Sequence, residues 1–266
     1  MRRIRIKTLK KKMKNNEILE KYLSKRKKLV KRFSLATILL ILIVFLLTLV
    51  DRKNEVIAQI SIEGIINNPV KTLKELKKIK DSPNVKALLV KVNSPGGTFV
   101  SSKDLYDKIK EIGNEIPVVT FMREMATSGG YLVSLASQKI FSSSGTITGS
   151  IGVILQTAEV TKLLEKIGIK PIVIKSGDLK ATPNPIEIFD NSDENYLKEI
   201  IRVMQEEFLE IVKDNRRVNE NTISKISDGR IFTGNQAVKL NLVDAVGSET
   251  DAIEWLKNEA NLDDNV

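Results

Sequence analysis

Between Phe33 and Val50 the chain runs for 18 residues without a charge, FSLATILLILIVFLLTLV, with Lys31-Arg32 before it and Asp51-Arg52-Lys53 after it. A helix apolar all round is either buried in a core or spans a membrane, and a core helix of a soluble domain rarely lacks a polar face over five turns, as this run does. As a helix rising about 1.5 Å per residue it nearly crosses a hydrocarbon layer of roughly 30 Å. Residues 1–32 carry 15 Lys/Arg against Glu17 and Glu20, a charge of +13, so that of the total of +10 the other 234 residues hold −3. The basic stretch is long and no small-x-small cleavage pattern follows Val50, which points to an uncleaved signal anchor rather than a removed leader. The positive-inside bias then puts the N-terminus in the cytoplasm and the globular part outside a cell (inner) membrane crossed once. The expected organisation is a basic cytoplasmic tail over 1–32, a transmembrane anchor over 33–50 and one globular domain over 54–266. The domain is slightly acidic and lacks interleaved aromatic and basic residues, so no nucleic-acid partner is expected.

From Asn54 onward, short β-branched runs alternate with amphipathic stretches, the pattern of an α/β fold. Strands are predicted at Val56–Ile62, Val85–Val92, Pro117–Met122, Lys139–Phe141 and Pro171–Lys175, with Ile151–Leu155 extended. Helices are predicted at Val70–Ile79, Ser102–Ile112, Tyr131–Ala136, Ala158–Ile167 and Glu194–Asn215, with shorter ones near Thr222–Ile226, Gln236–Leu240 and Asp251–Asn258. In the long helix Leu197, Ile200, Ile201, Met204, Phe208 and Ile211 are spaced for one buried face.

The chain contains neither histidine nor cysteine. That excludes Ser/His/Asp triads, Cys/His pairs and zinc sites built on those ligands, leaving serine or threonine with a lysine base for nucleophilic hydrolysis. The lack of cysteine is compatible with an oxidising compartment, since a domain of this size buries a core without disulfides.

Three glycine-rich turns lie at predicted strand or helix ends, where open α/β sheets place functional groups. In Ser94-Pro95-Gly96-Gly97, two glycines let backbone N–H groups point outward to an oxyanion or an extended peptide, although an ordinary turn has the same composition. In Ala126-Thr127-Ser128-Gly129-Gly130-Tyr131, Ser128 sits at a predicted helix N-terminus, where negative charge is favoured; a simple N-cap reads the same way. In Ser176-Gly177-Asp178-Leu179-Lys180, Lys180 becomes a base only if desolvation lowers its pKa, and by spacing alone a solvated surface lysine is the plainer reading.

Taken in order, Asn93-Ser94-Pro95-Gly96-Gly97, Ala126 to Tyr131, Thr148-Gly149-Ser150-Ile151-Gly152-Val153, Ser176 to Lys180, and Gly229-Arg230-Ile231-Phe232-Thr233-Gly234 with Leu242-Val243-Asp244 resemble the motifs of the signal peptide peptidase A family of Ser/Lys proteases. The resemblance runs from residue 55 to Asn258 and is to the short, single-domain form with one N-terminal anchor. It implies an α/β, ClpP/crotonase-like fold with repeated ββα units, preceded by one N-terminal transmembrane helix. It further implies Ser128 as nucleophile, Lys180 as general base, Ser150 as the residue that orients the lysine, and an oxyanion hole from Gly129 with Gly96 or Gly97. No metal and no organic cofactor is implied. The partners implied are peptide substrates, chiefly cleaved signal peptides, and further copies of the chain in a ring or dome such as an octamer, with Lys180 supplied across an interface. No chemical role follows for the Gly229–Asp244 stretch, whose Arg230 and Asp244 are expected to make fold or interface contacts. Thr127, Arg123-Glu124 and Leu179 depart from the family pattern without removing a catalytic group. Two further readings share these residues: a related membrane-bound Ser/Lys protease acting on a stomatin-like membrane protein, and a catalytically inactive membrane scaffold of the same fold. A crotonase-like acyl-CoA enzyme fits the anchor and the Ser/Lys pair poorly.

Overall fold

The computed structural model describes residue 21 and residues 24–45 and 55–263. The chain divides into two compact units, Met1–Glu55 and Val56–Val266. In the first, residues 24–45 form one helix, α1, whose apolar side chains from Ile38 to Phe45 are exposed. Most of the expected basic tail and the last five residues of the apolar run lie outside the described residues. Among the described residues no helix is long and apolar enough to cross a membrane.

The second unit consists of β1 (Val56–Ile66), α2 (Val70–Lys80), β2 (Val85–Gly97), α3 (Phe99–Gly113), β3 (Val118–Thr127), α4 (Gly129–Ser134), β4 (Lys139–Ser142), β5 (Ile147–Gly149), α5 (Thr161–Lys166), α6 (Asn191–Asn215), α7 (Glu220–Ile226), β6 (Ile231–Thr233), α8 (Gly234–Lys239), β7 (Ala245–Val246) and α9 (Glu249–Glu259). The main ladder, in the order β1-β2-β3-β4-β7, is parallel throughout. Parallel sheets need cover on both faces, and β2 shows how the sequence provides it. Leu88, Val90 and Val92 enter the main core with Leu76, Leu105 and Ile109 of α2 and α3, whereas Ala87 and Leu89 join Phe121, Phe141 and Leu256 in a smaller core that includes α9. Burying each such leucine or isoleucine stabilises the fold by about 1.5–3 kcal/mol relative to exposure. Caps set the helix starts: Thr98 accepts the Ser101 N–H for α3, and Asp190 with Asp193 forms a capping box for α6.

Three irregularities fall at one level of this sheet. The β1–β2 register shifts between Glu63 and Ile65, and that of β2–β3 between Val92 and Ser94. β3 pairs with β4 as far as Met122 and then with β5 from Met125. Each long strand is therefore a strand, a break and a second strand before its helix, which is how the ββα repeat is built here. Bulges of this kind re-aim the chain, and the glycine-rich turns lie just beyond them.

Pro171–Lys175, expected as a strand, forms none. Among the described residues no strand takes up its backbone, and Ile172 and Ile174 are 80% and 95% exposed, so the β-branched run has neither a ladder nor a core behind it. Ile151–Leu155 likewise lies outside any ladder, while β5 falls just before it. The short strands β6 and β7, of three and two residues, were not predicted; they are too brief to show a period.

Candidate active site

β3 and β5 deliver two serines side by side. Thr127 pairs with Gly149 in the last rung, so Ser128 and Ser150 are the first residues beyond it. The Ser128 N–H donates to the Gly149 carbonyl at 2.8 Å, and the Ser128 carbonyl accepts from the Leu132 N–H at 2.9 Å. Held between these bonds, Ser128 has φ 52° and ψ −121°. A positive φ costs a non-glycine residue about 1–3 kcal/mol and persists only where its surroundings over-determine it. The Ser128 hydroxyl makes no capping bond to α4, so a simple N-cap does not describe it. Ser150, with φ 51°, is held in the same way, its N–H donating to the Arg230 carbonyl at 2.8 Å.

The turn after β2 meets the Ser128 turn backbone to backbone. Gly96 has φ 100°, and a Cβ there would lie 2.7 Å from the Gly129 nitrogen and 2.9 Å from Ser128 Cβ. A Cβ on Gly129 would collide with Ser102 Oγ and lie 3.2 Å from the Gly97 nitrogen. Buried Ser94 holds the turn, its hydroxyl donating to the Gly64 carbonyl at 2.6 Å and accepting from the Gly96 N–H at 3.0 Å. Of the two glycine candidates on β2, Gly97 lines the cavities at Ser128, while Gly96 packs beneath the serine turn.

Two cavities meet at Gly97, Ser128 and the segment from Gly152 to Ile154. One, of about 500 Å³, is mostly apolar, walled by Ile65, Phe99, Val100, Leu132, Met204 and Phe208, and includes Gly129. The other, of about 640 Å³, is more polar and is lined by Ser150, Gln205, Ser227, Asp228 and Gly229. Asp228 is paired with Arg230 at 2.6 Å, which holds its carboxyl below the usual carboxylate range. Tyr131, two residues beyond Gly129, is fully buried; burial pushes its hydroxyl well above the usual range, and it donates to the Leu242 carbonyl at 3.0 Å. Among the described residues, no group of three or more His, Cys, Asp or Glu side chains is arranged to hold a metal ion.

One chain thus brings together Ser128, Ser150, Gly97 and Gly129, with Gly96 beneath them. Lys180 is not part of this group. It is exposed on the turn after Gly177, whose carbonyl accepts its N–H at 3.0 Å, and it lines neither cavity at Ser128. The Gly229 stretch, for which the sequence implied no chemical role, supplies the carbonyl that anchors Ser150. Asp244 makes the expected fold contacts, pairing with Arg216 at 2.9 Å and accepting the Ile140 N–H at 2.7 Å. Met204 and Phe208 were legible only as core residues, because a cavity wall on α6 has the same helical period as a core face.

The fold is that of ClpP. A mutant of ClpP1 from Listeria monocytogenes matches with a TM-score of 0.51 and 21% sequence identity over 73% of this chain and 94% of its own. A protein of Enterococcus faecium whose name is that of a signal peptide peptidase, SppA, is 35% identical over 226 residues, covering 80% of this chain and 66% of its own length. A Synechocystis protein named as a protease is 38% identical over 213 residues, 78% of this chain and 75% of its own length. The chloroplastic serine protease SPPA of Arabidopsis thaliana is 28% identical over 199 residues, but the aligned part is only 28% of that protein. Fold and relatives define the class as ClpP-like serine proteases. Residues 110–263 match the sequence pattern of Peptidase family S49, and the chain belongs to that family.

Proposed function

We propose that this chain is a membrane-anchored serine endopeptidase that cleaves signal-peptide remnants and other membrane-proximal peptides through a Ser128/Lys180 dyad. The observation that carries this reading is the setting of Ser128: a strained backbone, a hydroxyl free of helix capping, and a position where an apolar cavity meets the amides of Gly97 and Gly129. An apolar side chain of the substrate enters the apolar cavity, and the extended segment beyond Ile151 offers unpaired backbone for strand addition.

In the proposed reaction Lys180, oriented by Ser150, takes the Ser128 proton as Oγ adds to the peptide carbonyl carbon. The oxyanion is held by the Gly129 and Gly97 N–H groups, a contribution worth about 10²–10³ in rate per donor in comparable sites. Collapse breaks the C–N bond, and Lys180 gives its proton to the leaving amine. Water, deprotonated by Lys180, then hydrolyses the acyl-serine ester and restores Ser128.

The base comes from a neighbouring copy in this reading, since Lys180 stands on an exposed turn away from both cavities. Self-association is supported by Ile154, Ile172, Ile174 and Ile188, which are 76–95% exposed in the single chain. Aliphatic surface on that scale calls for cover, and a head-to-tail contact that closes gives a ring or dome, such as an octamer. The apolar run after a +13 tail supports a single-pass anchor in the inner membrane, with the tail in the cytoplasm and the catalytic domain outside.

The test is cleavage of casein and of a synthetic signal peptide by the purified full-length protein in detergent. Wild type cleaves both, and Ser128→Ala and Lys180→Ala each abolish cleavage. No cleavage by the wild-type oligomer favours an inactive scaffold, and cleavage of a membrane partner protein alone favours the stomatin-like reading.

A further inference from the structure

The inner face of α6 is apolar at Leu197, Ile201, Met204, Phe208 and Ile211, and Gln205 interrupts it. A half-buried amide at such a position has a desolvation cost that must be offset by its bonds. Its Nε2 donates to the Ile151 carbonyl and to the Ser227 carbonyl, both at 3.3 Å. Its Oε1 is buried without a protein partner. The two acceptors lie on the two segments that flank Ser150. Ile151 is the next residue in the chain, and Ser227 opens the turn to Arg230, whose carbonyl accepts the Ser150 N–H at 2.8 Å. Ser150 holds φ 51°, a conformation that surrounding structure has to enforce. Gln205 also lines the cavity that Ser128 and Ser150 share.

We infer that Gln205 is a positioning residue: one amide on a rigid helix clamps the segments on both sides of Ser150 and keeps its hydroxyl in register with Ser128. The inference rests on the serine-protease reading above. It makes Gln205 a residue whose donor group matters to turnover, while its removal is tolerated by the fold. Methionine has nearly the same length and fills the same space, and it also removes the unpartnered Oε1.

The experiment measures kcat and KM of the assembled full-length protein on a fluorogenic peptide with an apolar residue before the scissile bond. The variants are Ser128→Ala, Ser150→Ala, Gln205→Met, Gln205→Glu and the Gln205→Met/Ser150→Ala double variant. Ser128→Ala is expected to be inactive; if it cleaves, the serine reading fails and this inference fails with it. With Ser128→Ala inactive, Gln205→Met and Gln205→Glu should each lower kcat by about tenfold or more with KM within about twofold, as displacement of a catalytic group does. Gln205→Met should melt within about 3 °C of wild type. The double variant should be no slower than Ser150→Ala, because the amide acts through that serine. A kcat for Gln205→Met within twofold of wild type overturns the inference. So does a loss in the double variant equal to the product of the two single losses, or a large drop in melting temperature that accounts for the lost activity.

Discussion

The Ser128 N–H donates to the Gly149 carbonyl at 2.8 Å, so the proposed nucleophile is tied to the strand end that carries Ser150. Both serines follow directly from the Thr127–Gly149 rung. Their spacing is therefore set by a sheet ladder rather than by loop packing, and it survives rotamer motion. The β2 turn bears on the same point from the other side, through the approach of Gly96 to Ser128 and Gly129.

Gly96→Ala tests that approach. The new methyl would have to share space with the Gly129 nitrogen and Ser128 Cβ at a φ of 100°, where alanine is strained. The expected result is a loss of about 100-fold in kcat, since small displacements of a nucleophile are costly. Full activity in this variant would show that the turn has room and that the Ser128 position does not depend on it.

A shared dyad has a distinctive signature in mixed oligomers. If Ser128 meets Lys180 of a neighbouring copy, co-expressed Ser128→Ala and Lys180→Ala chains form some sites with both groups intact. Random mixing at equal amounts gives about a quarter of the wild-type sites, because each site draws its serine and its lysine independently. Peptide hydrolysis by the mixture checks this. An inactive mixture, with assembly intact by sedimentation, would place both groups in one subunit.

Much of this arrangement was legible beforehand, for identifiable physical reasons. α2 and α6 show a helical period over 11 and 25 residues, and β2 is apolar on both faces because both are covered. The absence of histidine and cysteine narrowed nucleophilic chemistry to serine or threonine with a lysine base before any contact was known. The place of Lys180 was not legible within one chain, because an exposed turn has meaning only against what packs on it. Pro171–Lys175 misled for a related reason: its residues favour a strand, but a strand also needs a partner, and the described residues supply none. Gln205 did leave a trace, as a polar residue between Ile201 and Phe208 on an otherwise apolar helical face.

The exposed run Ile172–Ile174 yields a prediction about assembly. Ile172 and Ile174 are 80% and 95% exposed, so replacing both with lysine removes little from the fold of one chain. If the run is covered by a second copy, the double variant sediments as smaller species and loses peptide hydrolysis together with assembly. An unchanged sedimentation profile would move the subunit contact elsewhere.

Acid sensitivity follows from the pairs around Glu111. Glu111 on α3 accepts from Lys108 at 2.6 Å and from Lys80 of α2, and Lys80 also reaches Glu115 at 3.1 Å. Hydrogen bonds from Lys108 and then Lys80 hold its carboxyl at about 2, against an ordinary 4.5. A carboxyl depressed on folding contributes stability that is fully present above its unfolded value and lost as pH falls through its folded value, here between about 4.5 and about 2. The group is exposed, so salt screens the effect and its size is small. Glu111→Gln is therefore expected to unfold at lower urea than wild type near pH 6, with the gap narrowing steadily as pH is taken from about 5 to about 3. Added salt near pH 6 narrows the same gap. A gap that stays constant across that range would mean that Glu111 contributes through its shape on α3 and not through its charge.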